Sequence, residues 1–400
     1  NADKVKIADG VLRPGASPYG LPVGDLTNPF GRLPIMQNTV GLGALVWLFH
    51  MDFEPLEKAI RQQFGKKDPK IQDNNVGACR AGWEYAKAHF QPMDVKMKGD
   101  GKSRLFITGN DALGMGLLTG GCRFYAAYPM TPATGILQYL INAAPPVGCL
   151  VKQAEDEIAV INMTIGAAHM GVRAACGTSG GGFALMVEAL GLAGMLEEPL
   201  VVINVQRGGP STGLPTKTEQ GDLPLALGAS QGDYPRVVIA PLTTEDCAYQ
   251  AGRALNLAER WQNPVTILSD LYLAEHFETV ETIDLDSITV ERGELLTSWT
   301  GTGYKRYAVT PSGVSPRAVP GMKGARFTAA SDEHDEDGHV ISDVLCGLPE
   351  SIAIRRKMML KRMKKLEGIR REMQVPAPEG PRDADLTLVG WGSTYRIMLE

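Results

Sequence analysis

Between residues 104 and 270, short apolar runs alternate with stretches whose apolar positions recur about once per helical turn. The runs predict buried strands, and the stretches between them predict helices that cover a sheet. The predicted strands are 104–108, 123–128, 149–153, 173–177, 200–206, 236–240 and 264–270. The predicted helices are 111–119, 132–142, 156–170, 183–196 and 244–262. This alternation is typical of an α/β fold with a mainly parallel sheet.

The sequence before this region has a different pattern. Residues 1–92 begin with proline-punctuated loops and then carry three helical patterns, at 40–49, 55–63 and 75–89. The following stretch, 93–103, is charged and contains glycine, which predicts a linker.

The sequence after this region is also distinct. Residues 281–350 lack periodicity and are rich in Asp, Gly, Ser and Pro, whereas 351–374 is strongly helical with one basic face. From 385 to 395, an apolar run, a glycine turn and a helix start predict the opening of another α/β domain. Because the chain begins with Asn1 and stops soon after this run, we expect sequence to be missing at both ends.

Composition excludes several classes of protein. The chain has 400 residues, is 44% hydrophobic and carries a net charge of -5, which suits several globular domains and disfavours nucleic acid. The basic face of 351–374 is most simply read as the solvated side of a connecting helix. The apolar stretch 40–49 is too short to cross a bilayer, so we expect neither a nucleic-acid partner nor a membrane span.

Cysteine spacing limits the redox chemistry of the chain. Consecutive cysteines lie at least 27 residues apart, so local ligand sets for zinc or iron–sulfur clusters are absent from the sequence. The cysteines are Cys79, Cys122, Cys149, Cys176, Cys247 and Cys346. This usage predicts the reducing cytoplasm rather than a disulfide framework.

Two glycine patterns do not predict phosphate binding. Gly114, Gly116 and Gly120 miss the dinucleotide spacing and fall inside a predicted helix, which favours close helix packing. Gly99-Asp-Gly101 follows a charged linker rather than a strand and lacks the Asn-Asn pair of a thiamine diphosphate–magnesium motif.

Three predicted strand ends carry candidate chemistry. Thr131 precedes Pro132 and is placed to cap a helix, and a helix N-terminus also attracts carboxylates. Arg207 follows an apolar strand, where its planar fork suits a carboxylate, and Gly208 and Gly209 leave room for a ligand. Both residues have a simpler structural interpretation, as a cap and as a surface turn.

The third strand end carries three acids, Glu155, Asp156 and Glu157. Acids in a first helical turn complement the helix dipole, which explains two of them. Since successive helical residues point about 100° apart, one acid is expected to face the sheet crevice, where burial prepares a carboxyl group for proton exchange.

Two further segments have residues typical of anion or metal sites. The glycine-rich turn 177–182 between a strand and a helix forms a backbone nest that holds an anion or packs closely. His334 and His339 flank an acidic run, but adjacent charges in an irregular segment are usually solvated.

Five motifs in order resemble one enzyme family. They are Tyr128-Pro-Met-Thr-Pro132, Gln153-Ala-Glu-Asp-Glu157, Gly177-Thr-Ser-Gly-Gly-Gly-Phe183, Gln206-Arg-Gly-Gly-Pro-Ser-Thr-Gly213 and Pro264-Val-Thr-Ile-Leu-Ser-Asp270. Together they resemble the alpha subunit of 2-oxoacid:ferredoxin oxidoreductases, most closely the 2-oxoglutarate branch with a fused gamma domain. The resemblance covers residues 30–400, and Met130 stands where the family usually has Ile.

The resemblance implies a fold and a domain order. Residues 104–280 would form a thiamine diphosphate-binding domain of the pyrimidine type, preceded by the tail of a gamma domain at 1–92 and the linker 93–103. Residues 281–382 would be an irregular linker and basic helix, and 383–400 would begin a transketolase C-terminal-like domain.

The resemblance also implies the reaction: CoA-dependent oxidative decarboxylation of a 2-oxoacid with reduction of ferredoxin, or the reverse carboxylation. Glu155 would pair with N1′ of the aminopyrimidine and stabilise its imino tautomer, and Pro129 would line the cofactor. Thr131 and Arg207 would hold the substrate's 2-oxocarboxylate.

A partner subunit is implied because several expected sites are missing. A beta subunit would carry the diphosphate site, Mg²⁺ and a [4Fe-4S] cluster, and the assembly would be a dimer of alpha-beta units. An indolepyruvate or branched-chain 2-oxoacid relative is the alternative within enzymes, and a noncatalytic thiamine-fold scaffold is the alternative outside them.

Overall fold

The computed structural model describes most of the chain. The described residues are 7, 11–16, 18–31, 36–95, 100–228, 230–341, 349–373, 375, 377–381 and 383–400. Cys346, Gln374 and residues 96–99 of the predicted linker lie outside them. The chain divides into two compact units, Asn1–Ser103 and Arg104–Glu400.

The first unit is helical. Its α-helices are α1 (Val23–Thr27), α2 (Met36–Leu48), α3 (Phe53–Gln63) and α4 (Pro69–His89), with a 3-10 turn at Asn28–Phe30. Helices α2 and α4 pack through a buried apolar cluster that includes Val40 and Ala78. Helix α4 starts six residues before its predicted beginning because Asp68 caps it, accepting a hydrogen bond from the Lys70 amide at 2.8 Å.

The second unit contains the predicted alternation. Its strands are β1 (Leu105–Ile107), β2 (Phe124–Ala127), β3 (Leu150–Gln153), β4 (Ala174–Thr178), β5 (Val201–Gln206), β6 (Val237–Ile239), β7 (Val265–Asp270) and β8 (Glu278–Val280). Its helices are α5 (Gly109–Thr119), α6 (Thr134–Ala143), α7 (Glu157–His169), α8 (Gly180–Leu196), α9 (Leu223–Gly228), α10 (Thr244–Trp261), α11 (Leu271–Glu275), α12 (Pro349–Glu372) and α13 (Thr394–Leu399). Two 3-10 turns complete it, at Pro145–Val147 and Leu285–Ser287.

Six strands form one parallel sheet in the order β3-β2-β4-β5-β7-β6, which confirms the predicted α/β class. Alternate residues of β5 serve two apolar cores, since Ile203 faces the core under α6 and α10 while Val202 faces the core under α7 and α8. Helices therefore cover both faces, and ligands of such sheets bind beyond the carboxyl ends of the strands.

The predicted strand at 104–108 is confirmed as β1, but it pairs antiparallel with β8 and lies outside the main sheet. One strand prediction was wrong. The apolar run after Asp385 forms no strand, and Leu388 and Val389 are 65% and 89% exposed. A strand requires a hydrogen-bonding neighbour, and none of the strands in the described part of the chain lies beside this run.

Close helix packing at the glycines of α5 is confirmed. A Cβ atom on Gly116 would overlap the backbone carbonyl of Ala248 in α10, and one on Gly114 would meet the ring of Tyr139. These glycines therefore bring helices together rather than hold a phosphate.

The basic helix α12 is not simply a solvated connection. Lys361, Arg362 and Lys365 are buried, and Glu197 lies 2.6 Å from the Lys361 ammonium and 2.5 Å from that of Lys365. Arg362 pairs with Glu333 at 2.8 Å. The expectation of a solvated face was wrong for these three residues because carboxylates from other segments lie against them. None of the helices in the described ranges has the length and apolar character needed to cross a membrane.

Candidate functional site

The five sequence motifs lie at the carboxyl ends of five neighbouring strands. They follow or end β2, β3, β4, β5 and β7, which are adjacent in the sheet. Parallel strands present these ends along one edge, so residues far apart in sequence are brought together there.

The structure joins the two predicted substrate residues, Thr131 and Arg207. The Arg207 guanidinium donates through Nη1 to the Thr131 backbone carbonyl at 2.5 Å. A guanidinium has five N–H donors, and no other hydrogen bond of Arg207 occurs among the residues described. The half-buried fork therefore keeps donors for a carboxylate.

Thr131 does not cap a helix, so that prediction was wrong. Helix α6 begins at Thr134, its N-cap position is Ala133, and that position has no side-chain capping bond. The turn 131–133 places two residues, Pro132 and Ala133, between the predicted cap and the helix, with Thr131–Pro132 in the cis form. The Thr131 hydroxyl is thus not needed for the helix start.

Arg207 lines a cavity of about 570 Å³ between α8 and the loop after β5. Met130, Gly180, Gly208 and Asp222 also contribute to its wall, so the glycines after Arg207 do leave open space. Burial raises the pKa of the Asp222 carboxyl above its ordinary value, although a hydrogen bond from Asn204 opposes this. The cavity therefore combines one guanidinium with a carboxyl group that is more easily protonated than usual.

The three acids after β3 have separate environments, as the helical geometry predicted. Asp156 caps α7 by accepting from the Ala159 amide at 2.7 Å. Glu155 is exposed, whereas Glu157 is only 3% exposed. Glu157 is thus the acid that faces the interior of the sheet edge.

Glu157 lies in a tight polar corner. Its Oε1 atom is buried, and no hydrogen-bond donor for it exists among the described residues. A Cβ atom on Gly182 would overlap both this oxygen and the Thr178 hydroxyl, so the glycine at 182 makes room for the carboxyl group. This oxygen is closed to solvent, so the corner buries the carboxyl group against α8 rather than presenting it to a ligand.

Other predicted residues of this edge have weaker support. Pro129 is exposed next to the turn 131–133. In the glycine nest, Ser179 occupies the N-cap of α8 without a capping bond, and its buried Oγ has no described partner. The cofactor contact that the resemblance implies for Pro129 and the anion site considered for the nest both stay predictions.

A second group of residues ties the end of β7 to the last described segment of the chain. Gln220 donates to Asp270 at 3.0 Å and to the Trp391 carbonyl at 2.8 Å. The Ser393 amide donates to the same Asp270 oxygen at 2.9 Å. The loop that begins with Arg207 is therefore anchored at its far side to residues 391–393.

The acidic segment around His334 differs from expectation. His334 is fully buried, with its ring centroid 4.0 Å from that of Tyr307 and Nδ1 2.8 Å from the Asp332 carbonyl. Burial lowers its pKa below the ordinary value. Asp335, Asp337 and His339 bring one ligand atom each within 4.8 Å of one another, without His334.

Comparison with protein families identifies the α/β unit. Residues 115–346, more than half of the chain, match the family described as pyruvate flavodoxin/ferredoxin oxidoreductase, thiamine diphosphate-binding. The chain belongs to this family. Residues 2–85 match a second model, described as pyruvate ferredoxin/flavodoxin oxidoreductase.

Individual members of this oxidoreductase family are similar over most of the chain. The alpha subunit of 2-oxoacid:ferredoxin oxidoreductase 1 from Sulfurisphaera tokodaii is 37% identical over 91% of this chain and 58% of the relative. The 2-oxoglutarate oxidoreductase subunit KorA from Mycobacterium tuberculosis is 35% identical over 90% of this chain and 55% of the relative. The chain thus spans a little over half the length of these curated relatives.

A solved member of the family has the same architecture. The structure of 2-oxoglutarate:ferredoxin oxidoreductase from Magnetococcus marinus, with 2-oxoglutarate, coenzyme A and succinyl-CoA bound, matches with a TM-score of 0.76. The two are 36% identical, and the match covers 94% of this chain and 65% of the other.

Sequence reasoning did not single out Asn204, Gln206, Gln220 and Asp222. Asn204 and Gln206 are polar residues in an apolar strand, and because they lie two residues apart they share one face. This pattern indicates that the strand is polar at its carboxyl end. Gln206 accepts from the Asp222 amide at 3.0 Å and donates to the Ser269 carbonyl at 3.1 Å. Gln220 and Asp222 lie in the loop after β5, and the sequence does not predict that this loop folds back against the strand ends.

Proposed function

We propose that this chain is the catalytic alpha portion of a 2-oxoacid:ferredoxin oxidoreductase of the 2-oxoglutarate branch. The reaction would convert 2-oxoglutarate and coenzyme A to succinyl-CoA and carbon dioxide, passing two electrons to two ferredoxin molecules and releasing one proton. Family membership and the names of the relatives support the reaction class. The observation that carries the proposal is Arg207, which is held by the Thr131 carbonyl and lines an open cavity at the sheet edge.

Thiamine diphosphate fits the residues of this edge. The Glu155 carboxylate lies exposed just after β3, where a ring nitrogen of the aminopyrimidine could reach it. Thiamine diphosphate supplies, when bound, the nucleophilic carbon that carries the acyl group after carbon dioxide leaves. Pro129 is proposed to line the cofactor.

Two acids compete for the contact with the aminopyrimidine N1′. The family motif alone suggested Glu155, whose carboxylate is exposed in this chain. Glu155 is favoured by its accessibility, because a cofactor held between two subunits contacts residues that are exposed on each subunit by itself. We therefore assign the proton-sharing role to Glu155 and keep the buried Glu157 as the alternative.

Arg207 and Thr131 are proposed to bind the substrate's 2-oxocarboxylate. The guanidinium is fixed by the Thr131 carbonyl, and its remaining donors point to a bidentate contact with a carboxylate. This arrangement would orient the 2-oxo carbon and hold the negative charge of the substrate in place.

The assembly requires a partner in this proposal. A beta subunit would hold the diphosphate, Mg²⁺ and a [4Fe-4S] cluster, and two alpha-beta units would form the enzyme in the cytoplasm. Residues 1–92, 104–280 and 383–400 would be the gamma tail, the pyrimidine-type domain and the start of a transketolase C-terminal-like domain.

The test is acceptor reduction by the reconstituted two-subunit complex. Ferredoxin reduction that depends on both 2-oxoglutarate and coenzyme A supports the proposal. A preference for indolepyruvate or branched-chain 2-oxoacids moves the chain to that branch of the family. Full activity in all three variants, Glu155→Gln, Glu157→Gln and Arg207→Lys, would favour a noncatalytic scaffold.

A further inference from the structure

Two cysteines that are distant in sequence lie side by side at the amino end of the parallel sheet. Cys122 comes just before β2, and Cys149 comes just before β3. Both are free thiols, and their side chains form a hydrogen bond with each other. They lie at the end of the sheet opposite to the proposed catalytic residues, so the proposed function does not explain this thiol pair.

The backbone holds the two cysteines at a spacing that a disulfide bond spans. Strands β2 and β3 pair with Phe124 opposite Leu150, and the Leu150 amide donates to the Arg123 carbonyl at 2.9 Å. Neighbouring strands lie about 4.8 Å apart, and a disulfide bond joins Cα atoms about 4.4–6.8 Å apart. Both cysteines belong to the apolar core under α6 and α10, so their side chains lie on the same face of the sheet.

The two thiols differ in acidity. The hydrogen bond with Cys122 lowers the pKa of Cys149, and the Arg123 guanidinium lowers it further, although burial opposes both. The same hydrogen bond, together with burial, raises the pKa of Cys122 well above its ordinary value. Cys149 is therefore the thiol that loses its proton first, and the thiolate is the nucleophilic form of cysteine.

The two thiols also differ in access. Cys122 is fully buried, and its thiol lies 3.2 Å from the Phe124 carbonyl. Cys149 is 6% exposed, and both its chain neighbours, Gly148 and Leu150, are exposed. Strand β3 is an edge strand of the six-stranded sheet, and such a strand opens locally more easily than a central one. A small oxidant therefore reaches Cys149 before Cys122.

We propose that Cys122 and Cys149 form a reversible disulfide bond when the protein meets hydrogen peroxide. The Cys149 thiolate attacks one peroxide oxygen, the O–O bond breaks, and the leaving hydroxide takes up a proton to form water. The Cys122 sulfur then attacks the sulfenic acid on Cys149, the S–O bond breaks, and the hydroxide leaves with the Cys122 proton as a second water molecule. The two thiols lose two electrons, which reduce the peroxide, and a dithiol restores both thiols by exchange.

The disulfide bond would fasten the edge strand to the rest of the sheet. In the six-stranded sheet, β3 is hydrogen-bonded to β2, and a covalent bond at its amino end limits local opening. Amide hydrogen exchange of residues 150–153 should therefore be slower in the oxidised protein than in the reduced one.

The test is a peptide map of the assembled complex before and after brief exposure to hydrogen peroxide. The remaining thiols are alkylated under denaturing conditions before digestion. In the oxidised wild type, Cys122 and Cys149 should escape alkylation and appear in one linked pair of peptides, which dithiothreitol separates. Cys149→Ala should leave Cys122 fully alkylated. Cys122→Ala should stop the reaction at a sulfenic acid on Cys149, which dimedone traps.

Cys176→Ala is the matched control. Cys176 is buried in the neighbouring strand β4 but belongs to the core on the other face of the sheet, and burial raises its pKa to about 12. This variant should form the same linked pair as the wild type. Alkylation of both Cys122 and Cys149 after oxidation of the wild type, or a linked peptide that joins either of them to another cysteine, would overturn the inference. Because the wild-type map decides it, a variant that does not fold leaves the test intact.

Discussion

At the amino ends of the parallel strands, buried carboxylates lie against cations, whereas at the carboxyl ends the Glu157 carboxylate keeps one oxygen without a partner. Glu197 and Glu198 precede β5, and Glu259 precedes β7. Glu197 faces Lys361 and Lys365, and Arg317 lies 3.5 Å from Glu198 and 2.7 Å from Glu259. The pairs at the amino ends join the irregular segment and α12 to the sheet.

The difference shows that the partners of a buried carboxylate indicate its role. A buried carboxylate that faces cations from other segments is part of the fold, because removing either partner leaves a charge in a medium of low polarity. A buried carboxylate that lacks a protein partner costs stability and joins no other segment. The two ends of one sheet thus separate acids that hold segments together from an acid that does not.

The largest expected effect is the loss of cofactor activation in Glu155→Gln. The amide keeps the shape but cannot share a proton, so thiamine C2 hydrogen–deuterium exchange should fall about 10²- to 10⁴-fold in the assembled enzyme. The free energy of unfolding should change little, because Glu155 is exposed.

Glu157→Gln is the matched control for this prediction. It should leave exchange near the wild-type rate, and the free energy of unfolding should not decrease, because an uncharged amide costs less to bury than an unpaired carboxylate. The reverse result, with exchange lost only in Glu157→Gln, would assign the proton-sharing role to Glu157.

Glu197→Gln should have the opposite effect: activity per folded molecule is kept and stability is lost. Burial by itself raises the pKa of Glu197, but the two lysines hold that pKa well below its ordinary value. Without the carboxylate, Lys361 and Lys365 remain buried together, at a cost of about 3–5 kcal/mol. Chemical denaturation measures this cost, with the exposed Glu188→Gln on α8, the helix that ends just before Glu197, as control. Equal stability of the two variants would contradict the structural role.

Arg207→Lys should raise the KM for the 2-oxoacid about ten- to a hundredfold, since one charge-assisted hydrogen bond is worth ~1.5–3 kcal/mol. Lysine keeps the charge but loses the bidentate fork, so the KM for coenzyme A should change little. Steady-state kinetics measure both constants. Arg123→Lys is the control at the amino end of β2, where the guanidinium also binds a backbone carbonyl.

Thr131→Ala sharpens the same measurement. Because Arg207 binds the Thr131 carbonyl and Thr131 caps no helix, the variant should keep its stability. If both residues hold one carboxylate, the double variant should cost less than the sum of the single ones. Strict additivity would separate the two residues.

The smallest expected effect concerns Lys365. Burial lowers its pKa to about 7, against an ordinary value of 10.5. Between these values the unfolded chain binds a proton that the folded chain has released, so this group makes stability rise with pH by up to about 1.4 kcal/mol per unit. Lys365→Met should flatten the rise of unfolding free energy between pH 7.5 and 9. The exposed Lys364→Met should not, and a slope unchanged in both would exclude this titration.

The sequence by itself determined the parallel α/β unit, its strand ends and the family. Apolar runs and helical periodicity are local properties that survive in any packing, which is why β2 to β7 and α5 to α8 were found with only small shifts at their ends. Motif order placed Thr131 and Arg207 at one sheet edge, and the structure brings them into contact.

Only the tertiary structure decided which charges are buried and where strands pair. The basic face of α12 reads as solvated until Glu197 and Glu333 approach it from other segments. Strand β1 joined β8 rather than the main sheet, and the run after Asp385 formed no strand, because pairing depends on a neighbour that is distant in sequence. Glu155 and Glu157 are the same residue type two positions apart, so the sequence does not distinguish them. The packing of α7 on the sheet edge leaves Glu155 exposed and buries Glu157.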